Sequence, residues 1–142
     1  IVRLGYIYGP TMTDGDNKVV AQFIRAAVKR QNLILKSYGQ QRRTYCYVAD
    51  AVSGIVKALM EGKAGEAYNV ADKNSLVTIR QLGELIAEIS GIMLVNECGL
   101  KKVVATAGKE DNVLDSGRLE KMGWNAKTAI EMGIKRSLEI IR

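Results

Sequence analysis

The chain has 142 residues, a formal charge of +6 and no histidine. That length holds one domain with its own core. The missing histidine excludes Ser-His-Asp and Cys-His catalysis and HExxH zinc sites within the chain, and no apolar run nears the ~20 residues that span a bilayer.

In chain order, "IVRLGYIY" (1–8) is rich in β-branched and aromatic residues and predicts a buried strand, stopped by Gly9-Pro10. A polar loop follows, with Asp16 or Asn17 as cap of a helix over 18–30. Val19, Val20, Phe23, Ile24, Ala27 and Val28 share one face of that helix. "LILKS" and "RTYCYV" predict short strands. Asp50 is expected to cap a helix over 51–61 with Val52, Ile55, Val56 and Leu59 inward, ended by Gly62. "GEAYNVAD" predicts a strand. Thr78 and Gln81 form a capping box for a helix carrying Leu82, Leu85, Ile86 and Ile89, which stops at Gly91. Short strands are expected over 92–95 and 103–107. Asp115 is expected to cap a short helix ended by Gly123, with Trp124 as an apolar anchor. A second capping box, Thr128 and Glu131, opens a last helix bearing Ile130, Ile134, Leu138 and Ile141. Alternating strands and helices predict an α/β domain.

The opening apolar run with no initiator methionine leads to the expectation that these residues are one piece of a longer polypeptide. Cys46 and Cys98 form no CxxC, which suits a reducing cytoplasm and argues against a structural metal. The glycine-rich dinucleotide fingerprint, the P-loop and a Tyr-x-x-x-Lys pair are all missing from the sequence. What remains is binding chemistry. Basic pairs are scattered at Lys29-Arg30, Arg42-Arg43, Lys101-Lys102 and Lys135-Arg136. The charge admits nucleic acid or a polyanionic small ligand, but dispersed pairs without an exposed aromatic stripe argue against nucleic acid. Strand alternation sets Arg43, Tyr45 and Tyr47 on one side and Thr44, Cys46 and Val48 on the other. With Cys46 and Val48 inward, Arg43 lies on a more polar face where its guanidinium fork can hold a phosphate. The same pattern also suits a surface strand with an arginine stacked on tyrosine.

Five stretches in order resemble the C-terminal half of the NAD-dependent epimerase/dehydratase family, the extended short-chain dehydrogenases that act on nucleotide sugars. They are "VRLGYIYGP", "DGDNKVVAQFIRAAV", "YGQQRRTYCYVADAVSGIVKAL", "GEAYNVADKNSLVTIRQLGELIAEISG" and "LDSGRLEKMGWNAKTAIEMGIKRSLEII". The resemblance implies the last Rossmann strands and helices plus a small mixed α/β substrate-binding lobe, residues 1–142 forming one such part. The NAD-binding half with its glycine-rich loop and Tyr-x-x-x-Lys pair would lie outside this chain. It places Arg43 on the arginine that holds the nucleotide diphosphate and Gln41 on the glutamine of the family pattern, and leaves Arg42 facing water. Val19, Val20 and Phe23 fall at the helix start that lines the base. Leu4, Gly5 and Tyr6 follow the approach to nicotinamide and sugar, and Tyr8 shapes the loop behind it.

Tyr6 stands where the family has asparagine. Without a gap, Ser37 and Tyr38 replace the Gly-Asp of Gly-Asp-Gly; with a two-residue deletion, the preferred alignment, Tyr38-Gly39 becomes the aromatic-Gly pair. Where the family often supplies a second arginine, only Lys109 is present. The implied substrate contacts are therefore Arg43, Gln41, Val19, Val20, Phe23, Tyr6 and Tyr38, and the cofactor contacts Leu4, Gly5 and Tyr8. No catalytic residue and no metal ligand is expected here. The implied whole is a cytoplasmic, homodimeric enzyme using NAD or NADP on a nucleotide-diphosphate sugar, with no nucleic acid or membrane partner; alone, the chain is expected to be inactive and to bind the cofactor weakly. The competing readings are a non-catalytic ligand-binding member of the same fold and a basic nucleic-acid module.

Overall fold

The computed structural model describes residues 1–97 and 111–141. Cys98, Lys101-Lys102, the strand expected over 103–107 and Lys109 lie outside the described residues. The α/β expectation holds. Strands β1 (Val2–Leu4) and β5 (Tyr68–Val70) pair in parallel, as do β3 (Leu33–Leu35) and β7 (Leu94–Asn96). The central sheet has the order β2-β4-β6, with β2 (Tyr6–Tyr8) parallel and β6 (Leu76–Thr78) antiparallel to β4 (Arg42–Tyr47). The helices are α1 (Val19–Val28), α2 (Val48–Glu61), α3 (Ile79–Ser90), α4 (Gly117–Lys121) and α5 (Ile130–Ile141).

The expected strand over 1–8 is in fact two. At Gly5 the chain leaves β5 and joins β4. Gly5 N–H still bonds the Val70 carbonyl at 2.9 Å, while a Cβ on Gly5 would sit 3.1 Å from the Thr44 carbonyl oxygen and 3.2 Å from Ala71 Cβ. Only a residue without a side chain lets one strand serve two sheets here. β1 is also not buried: Leu4 is 48% exposed.

Strand β4 corrects a second expectation. Its alternation is real, but both faces are covered. Tyr45 and Tyr47 join Tyr8, Ile24, Leu82 and Ile134 in one core, under α1, α3 and α5. Cys46 joins Ala51, Val70, Leu119 and Trp124 in another. Tyr45 and Tyr47 are thus core residues, not a polar face. Of the residues expected beside them, only Arg43 stays half-buried, at the strand's start.

Helix caps differ as well. Lys18, not Asp16 or Asn17, is the N-cap of α1; Asp16 instead accepts the Lys18 N–H at 3.0 Å just before it. Asp50 lies within the first turn of α2, which starts three residues earlier than expected. Its Oδ2 accepts the Thr128 N–H at 2.9 Å, so it fixes the approach to α5 rather than capping its own helix. Asp115 Oδ1 accepts the Gly117 N–H at 2.8 Å, one residue ahead of the Ser116 cap. The Thr78–Gln81 capping box forms in both directions, and α3 ends at Gly91 with a φ of 64°, where glycine avoids left-handed strain.

Helix α2 is turned opposite to expectation. Its inward face is Asp50, Ala51 and Gly54, while Val52, Ile55, Val56, Leu59 and Met60 are exposed. The cause is close packing: a Cβ on Gly54 would meet Val70 Cγ1 at 2.8 Å and the Trp124 ring at 3.1 Å. Small residues bring the helix onto the sheet, and the large ones are left outside. Trp124 is the anchor expected, buried and donating Nε1–H to Ser53 Oγ at 2.9 Å.

Three outcomes follow. Gly133→Ala places a methyl group against the Tyr8 hydroxyl and should cost about 1–3 kcal/mol in urea unfolding. Leu59→Gln, at a site 78% exposed, should move stability by no more than ~0.5 kcal/mol; a larger loss would mean that α2 faces inward after all. Burial, then Asp50 and Asp72, push the Cys46 thiol up to about 12, so it stays protonated through neutral pH. Iodoacetamide at pH 8 should leave the native Cys46 peptide unmodified and alkylate it in urea, read by mass spectrometry.

Candidate functional site

The loop before β4 is fastened to the start of α3. Gly39 has a φ of 66°, and a Cβ there would lie 3.0 Å from Arg80 N, so both conformation and space call for glycine. The Gly39 carbonyl accepts the Arg80 N–H at 2.9 Å and the Gln41 carbonyl accepts the Ile79 N–H at 3.1 Å. Arg80 Nε donates to the Tyr38 carbonyl at 3.2 Å. The first turn of a helix has N–H groups with no partner inside the helix; here the loop supplies acceptors. The site thereby gains a fixed backbone. The Tyr38 ring stays 57% exposed.

Arg42 comes next, and it does not simply face water. Its N–H donates to Asp111 Oδ1 at 2.8 Å and its Nε to Oδ2 at 2.8 Å, while Nη2 lies 2.7 Å from Oδ2. These bonds hold the Asp111 carboxyl below the usual carboxylate range, the Arg42 side chain contributing most. The Arg42 carbonyl accepts the Asn112 N–H at 3.0 Å and Arg43 Nη1 at 2.9 Å. One residue thus binds the returning segment with its N–H, side chain and carbonyl. Leu114 N–H extends this attachment to Thr44 Oγ1 at 3.1 Å.

Arg43 projects from the other side of the strand. Its guanidinium carbon lies 5.4 Å from the centroid of the Tyr6 ring, within the range of a cation–π contact. Tyr6 in turn meets Tyr45 with centroids 5.8 Å apart, and Tyr8 meets Tyr47 at 5.7 Å. The parallel register Tyr6↔Tyr45 and Tyr8↔Tyr47 produces this ladder. The Tyr45 hydroxyl is buried and has no hydrogen-bond partner among the described residues, a cost of about 1–3 kcal/mol.

Arg43 and Tyr6 thus meet at the start of β4, and Gln41 and Tyr38 lie on the loop that leads into it, fastened to α3 through their carbonyls. Other expected contacts are elsewhere. Val20 and Phe23 are 0% and 4% exposed inside the first core, because they lie on the face of α1 that packs against α3, Phe23 lying against Gly83. Val19 is half-buried and packs against the same core. The side chains of Val20 and Phe23 are thus occupied by protein and offer no lining surface. Tyr8 is sealed as well, donating to the Ile130 carbonyl at 3.3 Å. Among the three expected cofactor contacts, Leu4 is the most exposed; Gly5 is half-buried, and the space a side chain would take there is filled by Thr44 and Ala71. Among the described residues, cavities of 270 to 360 Å³ are lined by residues other than Arg43.

Burial raises the Tyr8 and Tyr45 hydroxyls far above neutrality, with nearby anionic groups adding to the rise at Tyr8 and Arg43 opposing it at Tyr45. Among the described residues no cluster of His, Cys, Asp and Glu could hold a metal, and no helix is long and apolar enough to cross a membrane. Sequence reasoning missed Asp111 and Arg80. Arg80 carried no more than its place just inside a capped helix, since its partner Tyr38 is 42 positions away. Asp111 carried no signal, since its partner is 69 positions away.

Comparison with known proteins places this geometry. The NAD dependent epimerase/dehydratase family matches residues 1–71. UDP-glucuronic acid decarboxylase 3 of Arabidopsis thaliana is 30% identical over 94% of this chain and 38% of its own length. The dTDP-D-glucose 4,6-dehydratase of Mus musculus is 26% identical over 100% of this chain and 40% of its own. The crystal structure of Thermotoga maritima UDP-glucose 4-epimerase with UDP-glucose superposes with a TM-score of 0.81 and 26% identity, over 98% of this chain and 44% of that one. The chain thus spans about two fifths of the length of these proteins. With half its residues matched by the family and its fold repeated in a solved epimerase, the chain belongs to the NAD dependent epimerase/dehydratase family.

Proposed function

We propose that this chain is the nucleotide-diphosphate-binding part of an NAD- or NADP-dependent nucleotide-sugar epimerase, dehydratase or decarboxylase. The observation that carries the reading is Arg43: a guanidinium at a strand mouth, braced by the Arg42 carbonyl and lying over the Tyr6 ring. An arginine so oriented presents a planar donor fork suited to phosphate oxygens. Gln41, Tyr6 and Tyr38 are proposed to flank the ligand, with Val19 at the margin of the base. Leu4 is the residue of this chain proposed to touch the cofactor, which when bound to the whole protein supplies hydride exchange at the sugar. The part described here orients the sugar through its non-reacting nucleotide, so that binding energy is spent on geometry.

A homodimer in the cytoplasm is proposed for the whole protein, and no turnover for residues 1–142 alone. A non-catalytic binder of the same fold makes the same contacts and is separated from an enzyme by turnover of the whole protein. The nucleic-acid reading is disfavoured because several of the cations are used within the fold: Arg42 on Asp111, Arg118 on Glu66, Lys73 on Glu120 and Lys135 on Glu131.

Titration with UDP, dTDP, CDP, GDP and NAD, followed by tyrosine and tryptophan fluorescence, tests the reading. Saturable binding of one diphosphate and none of NAD is expected. Arg43→Ala should weaken it roughly 10- to 100-fold, the worth of ~1.5–3 kcal/mol for hydrogen bonds to a charged group. Equal binding by Arg43→Ala would remove Arg43 from the site.

A further inference from the structure

Arg42 stands between two features of this chain, the carboxylate of Asp111 and the guanidinium of Arg43. Exposed ion pairs generally contribute little, and the Arg42 and Asp111 side chains are 56% and 39% exposed. Here, however, a single carboxylate receives the backbone N–H on Oδ1 and the Nε–Nη2 edge of the guanidinium on Oδ2. That geometry fixes the peptide unit of Arg42, not only its side chain. The carbonyl of the same residue is the acceptor for Arg43 Nη1 and for Asn112 N–H. Residues Arg43 and Asn112 complete the attachment as a parallel bridge. The direction of the Arg43 guanidinium is therefore tied, through one carbonyl, to a carboxylate on a segment 69 positions later.

We propose that Asp111 is a positioning residue for ligand binding: by holding Arg42, it sets the Arg42 carbonyl that aims the Arg43 guanidinium at a phosphate. This rests on the function proposed above. It assigns Arg42 and Asp111 a role that residue type and strand alternation alone do not reveal. It also accounts for an anion placed so close to a phosphate-binding cation. The Asp111 carboxylate is held chiefly by Arg42, while Arg43 Nη1 donates to the neutral Arg42 carbonyl.

A double-mutant cycle tests it, with UDP and dTDP as probes and affinities measured for wild type, Asp111→Ala, Arg43→Ala and the double variant. Asp111→Ala should weaken diphosphate binding about 5-fold in the wild-type background and less than 1.5-fold once Arg43 is absent, because its effect passes through Arg43. Equal losses in both backgrounds, or no loss in either, would overturn the positioning role while leaving Arg43 as the ligand. If Asp111→Ala does not fold by circular dichroism, Arg42→Lys replaces it: it keeps the charge and the backbone bonds but loses the planar fork. It should then show a smaller loss of affinity, again only with Arg43 present, and a loss independent of Arg43 overturns the proposal. A wild-type chain that binds neither probe removes the proposed function, and this role with it.

Discussion

The structure depends on β4 being buried on both faces. A strand in that position must present apolar or satisfied side chains in both directions, and Thr44, Tyr45, Cys46 and Tyr47 do so. Their alternation joins two cores through one strand, the first under α1, α3 and α5 and the second under α2 and α4. β2 and β6 flank the strand and fix its height relative to α3, whose N-terminus takes its hydrogen bonds from the loop before β4. The start of β4 is therefore the end of a rigid body. A charged side chain placed there is held by the whole fold, which is the condition for precise recognition by a long, flexible arginine.

That rigidity explains why polar residues cluster where they do. The two cores take Tyr45 and Cys46 in opposite directions, so Arg42 and Arg43, the next residues out, must also diverge. One reaches Asp111 and the other lies over Tyr6. Adjacent arginines on one strand thus have different partners. The separation follows from strand pleat alone; what each arginine finds on its side follows from tertiary folding.

The aromatic ladder has a mechanical consequence. Tyr8 is wedged between β4 and α5, where Gly133 leaves room for its hydroxyl. A smaller residue at position 8 would leave a cavity, and a larger one at 133 would separate the helix from the sheet. The same closeness that secures the core removes Tyr8 from any cofactor surface. Val20 and Phe23 are withdrawn in the same way, since a helix that fills its face with protein has none left for ligand.

By itself the sequence determined what is local. Period and punctuation located the strands and helices, the Thr78–Gln81 box and the Gly91 stop, because capping and left-handed backbone are decided by residues within one turn. The order of motifs was enough to recognise the family. Tertiary structure decided what depends on distant partners. Gly5 divides a strand because Thr44 and Ala71 approach it. The apolar stripe of α2 faces outward because Gly54 and Ala51 fit the sheet more closely than Val52 or Leu59 could. Asp50 and Asp111 gained partners 78 and 69 positions away. Periodicity reports that a face is apolar; which of two faces is pressed against the sheet is settled by the volumes on both sides of the contact, and a single element does not carry that information.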